Sequence, residues 1–230
     1  MTRRACALGG ALALAACAVD PGAAGVDGGA PDPDAAASWR HPATVEETYA
    51  SEVVAFEPGP GAGFGQAKLP DVVLGPPKGG GASAQSLDVL SLGAGGSVVM
   101  GFGDRVVADG PGPDLIVFEN AFFAGGDPDH PFVELGEVSV SSDGKSWVAF
   151  PCDPDSGPPW PGCAGWRPVE PFDAAGSLPP DPTIIGGDPF DLADVGLTEA
   201  RFVRIRDLTT VKAPPSAGFD LDAIAVLHLR

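Results

Sequence analysis

The chain has 230 residues, in which 31 acidic side chains face 13 basic ones for a formal charge of −18 at pH 7. A field of that sign repels nucleic acid and anionic lipid head groups and draws cations, so DNA and RNA are disfavoured as partners. The length is that of a single domain with a substantial core, once a leader and linker are set aside.

Residues 1–16 read as an export signal. Arg3 and Arg4 supply a positive start, 5–16 an apolar core, and small residues precede the cut. The apolar run is far below the ~20 residues that a membrane-spanning helix needs. Leu14, Ala15, Ala16 and Cys17 form a lipobox, and the segment resembles the leaders of bacterial lipoproteins. That resemblance implies that Cys17 is acylated and becomes the new N-terminus, so that the membrane is reached through a lipid anchor alone. An ordinary cleaved signal with a chance cysteine is the alternative. Ala18, in place of an acidic retention residue, implies onward transfer to the outer membrane or cell surface by resemblance to sorted lipoproteins. Without Arg3 and Arg4, 11 basic residues face 31 acidic ones, a formal charge of −20. Residues 17–38 are mainly Ala, Gly, Pro and Asp with neither helical nor strand period, which predicts a flexible tether.

Residues 39–230 alternate short β-branched and aromatic runs with clusters of Gly, Pro, Asp and Ser. The runs predict strands at 52–56, 71–74, 87–92, 97–102, 114–119, 133–141, 146–150, 201–207 and 221–229. Ser142, Asp143, Gly144 and Lys145 predict a hairpin turn, because Asp-Gly readily supplies positive φ. No window carries a capped helical stripe, although 190–195 suits one turn. The pattern predicts an all-β sandwich or barrel.

With Cys6 in the signal and Cys17 on the lipid, Cys152 and Cys163 remain. In an oxidising compartment they are expected to pair across a Pro- and Gly-rich loop. A zinc site is the alternative, and it lacks a second Cys pair or a His at ligand spacing.

Several stretches then resemble a known family. Residues 138–147 (Val-Ser-Val-Ser-Ser-Asp-Gly-Lys-Ser-Trp) resemble the strand, Ser-x-Asp-Gly, aromatic strand hairpin of discoidin-like, galactose-binding-like domains. Residues 200–205 (Ala-Arg-Phe-Val-Arg-Ile) and 221–226 (Leu-Asp-Ala-Ile-Ala-Val) are similar to their late and closing strands. The series 109–112, 114–120, 186–194 and 218–222 resembles a group of bacterial cell-surface lipoproteins. The resemblance runs from about Asp71 to the C-terminus and implies a jelly-roll β-sandwich whose relatives bind carbohydrate, lipid or protein surfaces, often with a structural Ca²⁺. True discoidin domains carry terminal cysteines absent here, so their ligand loops are not transferred.

Among acidic residues, Asp220 and Asp222 share one face with Ile224 and Val226, because side chains alternate at period two along a strand, and if Ile224 is core the two carboxylates point inward at the rim. Carboxylates so placed are costly unless paired with Arg204 and Arg206 or bound to a cation. Ca²⁺ takes six to eight oxygen ligands, and Glu119, Asn120, Asp188 and Asp191 are further candidates for the same site. Asp127, Asp129, His130 and Glu134 form a second oxygen-rich stretch that reads as a solvated turn or a cation loop.

The signatures of common nucleophile, zinc and nucleotide enzymes are missing from the sequence. His41, His130 and His228 lack a nucleophile in a recognisable local frame, and Glu119 with Glu134 is the one carboxylate pair considered for glycan hydrolysis. Trp160, Trp166 and Arg167 flank Cys163 among prolines; they suit stacking on a sugar or packing against a protein, or else cap the end of the sandwich. The sequence thus predicts a non-catalytic surface lipoprotein that binds a glycan or envelope polymer, with a polysaccharide hydrolase and an adhesive surface protein as alternatives.

Overall fold

A computed structural model describes residues 38–170, 182–209 and 217–230. They belong to one unit, Asp34–Arg230. The export signal, Cys17 and all of the tether except Ser38 lie outside the described residues.

The described residues form fourteen strands: β1 (Glu52–Glu57), β2 (Leu90–Ser91), β3 (Ser97–Gly101), β4 (Val107–Ala108), β5 (Leu115–Glu119), β6 (Phe122–Phe123), β7 (Pro131–Phe132), β8 (Gly136–Ser141), β9 (Val148–Ala149), β10 (Cys163–Ala164), β11 (Asp188–Phe190), β12 (Glu199–Ala200), β13 (Phe202–Asp207) and β14 (Asp220–Val226). One sheet has the order β1-β3-β13-β8-β10 with β9 on β8, and a second has the order β11-β5-β14-β2. All their pairings are antiparallel. Two small ribbons, β4 with β12 and β6 with β7, complete the set. The fold is the predicted all-β sandwich.

Alternation builds the first sheet. On β13, Val203 and Ile205 are buried while Phe202, Arg204 and Arg206 are not. They meet Val98, Met100, Val138 and Val140 from neighbouring strands and Leu115, Val117, Leu221, Ile224 and Val226 from the second sheet in one core. Central strands β5 and β14 are buried along their whole length. Their outer face is covered by a second cluster of Tyr49, Ile116, Phe118, Val169, Ile185, Ala223 and Ala225.

Three expectations change. Residues 71–74 form a 3₁₀ turn (Asp71–Val73) directly after Pro70, with Val72 and Val73 buried. The strand expected over 87–92 shrinks to Leu90–Ser91. Finally, β14 is not regular: Leu221 pairs with Glu119 and Ala223 with Phe118, which leaves Asp222 as the extra residue of a β-bulge. Phe219 and Leu221 before the bulge, and Ile224 and Val226 after it, all face the main core. Asp220 and Asp222 therefore do not share the face of Ile224 and Val226.

Candidate functional site

The hairpin at 142–145 forms as predicted, with Gly144 at φ 71° and the Asp143 carboxylate accepting from the N–H groups of Lys145 at 2.8 Å and Ser146 at 2.7 Å. Downstream, Cys152 and Cys163 are joined, with their Cα atoms 4.7 Å apart. The bridge closes a loop in which Trp160 has φ 31°, the one positive value at a non-glycine residue among those described. A side chain in the left-handed region costs roughly 1–3 kcal/mol and persists only where its surroundings hold it. Here the Trp160 N–H donates to Gly157 O at 3.0 Å, and Cys163 N–H donates to Trp160 O at 3.1 Å.

Trp160 lines a cleft of about 300 Å³ together with Trp166 and Arg167, and Phe123, Pro128, Asp129 and Pro131 also line it. The Arg167 guanidinium lies 4.7 Å from the centre of the Trp166 indole. Beside it, Phe122 and Phe132 stack with ring centres 5.0 Å apart, and Phe132 is 48% exposed. The oxygen-rich stretch 127–130 is a solvated turn that helps line the cleft: the Asp127 carboxylate accepts from Asp129 N–H at 3.0 Å and lies 2.8 Å from His130 Nδ1. Two other depressions lie elsewhere on the described residues. One of about 600 Å³ beside the disulfide, between Phe150, Pro161 and Phe190, offers neither indole nor cation. Another of about 270 Å³ lies on the outer face of the first sheet, where Arg204 covers Trp147 at 4.6 Å.

The six residues considered for one cation site are distributed over separate places. Both Asp222 oxygens accept from Lys78 N–H, at 3.0 and 2.9 Å. Asn120 is bonded to the backbone N–H and C=O of Ser86. Asp188 receives the N–H groups of Gly165 and Trp166. Arg204 and Arg206 do not neutralise Asp220 or Asp222: Arg204 reaches Ser139, and Arg206 pairs with Glu137.

Glu119 and Asp220 remain together, because Glu119 Oε1 accepts from Asp220 N–H at 3.3 Å. Glu119 is buried and its Oε2 has no hydrogen-bond partner. Burial, then the carboxylates of Asp220 and Glu134, push the Glu119 carboxyl well above the usual range. Burial and Asp220 push Glu134 up to about 7. So enclosed a Glu119 offers a glycan no approach as half of a hydrolytic pair. A separate group, Asp109, Asp114 and Asp191, has ligand atoms within 4.8 Å of one another. In it Asp114 is committed to structure: it lies 2.6 Å from His228 Nδ1 and accepts from Gly110 N–H at 2.9 Å and Leu192 N–H at 2.8 Å. Trp39 and His41 close over His228, with ring centres 4.5 and 5.2 Å away.

Sequence reasoning reached Trp160, Trp166 and Arg167 through the aromatic, proline-flanked staple. It missed Phe123 and Pro131, whose place in the cleft depends on the two-residue pairing of β6 with β7.

No protein-family model matches the chain, and no curated protein matches it. Among solved structures it is similar to the CBM32 of AlyQ in complex with 4,5-unsaturated mannuronic acid, at 12% identity over 78% of this chain and 97% of that chain, with a TM-score of 0.32. A likeness of that degree assigns neither site nor ligand to this chain.

Proposed function

We propose that this chain is an exported lipoprotein, anchored in the outer membrane or at the cell surface by acylated Cys17, whose galactose-binding-like jelly-roll sandwich binds a carbohydrate. The observation that carries the reading is the meeting of Trp160, Trp166 and Arg167 in one cleft. Indole faces stack on the apolar faces of sugar rings, and a planar guanidinium donates to paired hydroxyls or a ring substituent. Asp129 adds an acceptor at the rim. The formal charge of −20 left once the signal is removed opposes a polyanionic partner, so a neutral glycan or envelope polymer suits the molecule best.

A structural Ca²⁺ belongs to the same reading. Among the described residues Asp109, Asp114 and Asp191 suit it, because their ligand atoms converge within 4.8 Å of one another and carboxylates gain most from a hard cation.

The test is a glycan array with the mature chain, followed by Trp166→Ala and Arg167→Ala. Loss of a large aromatic or guanidinium contact is expected to weaken retention at least tenfold. Failure of the wild type to retain any glycan, or the appearance of new reducing ends, would overturn the reading, the second in favour of a hydrolase. For the address, Cys17→Ser is expected to release the protein from the membrane pellet, and an acyl-free wild type would contradict the anchor.

A further inference from the structure

The cleft is supported by a carboxylate that the proposed binding role leaves unused. Asp188, on β11, is 1% exposed. Its Oδ2 accepts from Gly165 N–H at 2.6 Å and from Trp166 N–H at 3.2 Å. Successive amides turned towards one acceptor make an anion-binding nest, filled here by the protein's own side chain. Gly165 permits the approach, with φ at 92° and room for no side chain: a Cβ there would lie 2.2 Å from the Glu134 carbonyl oxygen. The second carboxylate oxygen, Oδ1, is buried without a hydrogen-bond partner, and Arg167 Nε stands 4.0 Å from it. Arg167 is thus held between the Trp166 indole at 4.7 Å and a buried carboxyl oxygen that has no hydrogen-bond partner.

We propose that Asp188 is the positioning residue of the cleft, fixing the 165–167 backbone in its nest and steering the Arg167 guanidinium so that Trp166 and Arg167 present one preset face to the ligand. The inference rests on the binding reading above and replaces the expectation that Asp188 ligates a cation. A group restricted to structure would need only to satisfy amides. Asp188 also bears on the one cation in the cleft, and above about pH 7, where its buried carboxyl gives up its proton, its negative charge is what an asparagine of the same shape lacks. Preset side chains lose less freedom on binding, so removal of the charge is read as weaker affinity in a domain that still folds.

The experiment joins a measurement that needs no glycan to one that does. In the amide spectrum of the wild-type mature chain, a coupling through the hydrogen bond is expected between Gly165 N–H and the Asp188 carboxyl carbon. In Asp188→Asn, the amide resonances of 165–167 and the Trp166 indole resonance are expected to shift while the rest of the spectrum is retained. Affinity for the best-retained oligosaccharide of the array should fall about tenfold, the scale of one charge-assisted hydrogen bond. In Arg167→Ala, affinity should fall while the amides of Gly165 and Trp166 stay in place. Absence of the wild-type coupling, or an Asp188→Asn protein with unmoved 165–167 resonances and full affinity, would overturn the assignment. A wild type with the coupling intact and no glycan retained would overturn the binding reading alone.

Discussion

Buried aspartates in this protein act as fasteners for loops. Asp207, at 1% exposure, accepts from Phe219 N–H at 2.8 Å, Gly95 N–H at 2.8 Å and Thr209 N–H at 3.1 Å, drawing three segments to the end of β13. Asp114 does the same for Gly110 and Leu192, and Asp222 for Lys78. Loops rich in glycine and proline bury little apolar surface, so hydrogen bonds from their amides to buried carboxyl oxygens stabilise them in its place. Asp207→Ala strips several amides of their acceptor at once. At roughly 1–3 kcal/mol for each buried donor left unpaired, the expected loss is about 3 kcal/mol or more, read as a lower urea midpoint at unchanged m-value. Asp129→Ala, at the exposed rim of the cleft, is the control and is expected to stay within about 0.5 kcal/mol of wild type. Equal midpoints for the two variants would remove Asp207 from its fastening role. An acidic composition therefore has two physical origins here, a solvated surface and a set of internal acceptors, and a count of charges does not separate them.

At the scale of elements, the loop between Cys152 and Cys163 is the part whose order depends most on a covalent bond. Closing a loop of this length restricts the unfolded chain by roughly 3 kcal/mol in the chain-entropy model. Cys163→Ser is expected to lower stability by about that amount in chemical denaturation and to weaken glycan retention, because Trp160 sits in the closed loop at φ 31°. Retention unchanged in the reduced protein would show that the loop holds Trp160 without its bridge. Strands β8 and β13 are readable in the sequence because apolar residues alternate with polar ones, and β1 and β3 because they are short runs rich in valine. β14 is readable as a strand, yet its bulge is not: both faces of its sheet are covered, so alternation is lost and no pattern marks the step at Asp222. The valines at 72 and 73 resemble a strand and instead bury themselves from a single 3₁₀ turn. Two-residue strands such as β6 and β7 arise from tertiary pairing, which is why the Trp and Arg lining of the cleft is legible and its Phe and Pro lining is not.

For the whole molecule, the decisive quantity is the number of acids whose protonation differs between the folded and unfolded chain. Asp188, Asp222 and Glu134 are each pushed up to about 7, chiefly by burial, and Glu119 well above its ordinary range. In the unfolded chain these carboxyls titrate near pH 4. Between about pH 4 and 7 the folded state therefore holds protons that the unfolded state has released. Stability falls as pH rises through that window. Glu47 and Asp143 are lowered to about 2, and being ionised in both states above pH 5 they add no slope there. In buffer with EDTA, the melting temperature is expected to decline from pH 5 to pH 8. A cation bound only by the folded protein at Asp109, Asp114 and Asp191 adds RT ln(1 + [L]/Kd), about 2.7 kcal/mol at a hundredfold excess over Kd. It competes with protons for the same oxygens, and burial raises Asp114 above its ordinary range, so millimolar Ca²⁺ should raise the melting temperature more at pH 8 than at pH 5. Equal Ca²⁺ effects at both pH values would place the cation away from these carboxyls. A melting temperature flat from pH 5 to 8 without Ca²⁺ would mean that the buried acids are compensated in the folded protein as well as water compensates them in the unfolded chain.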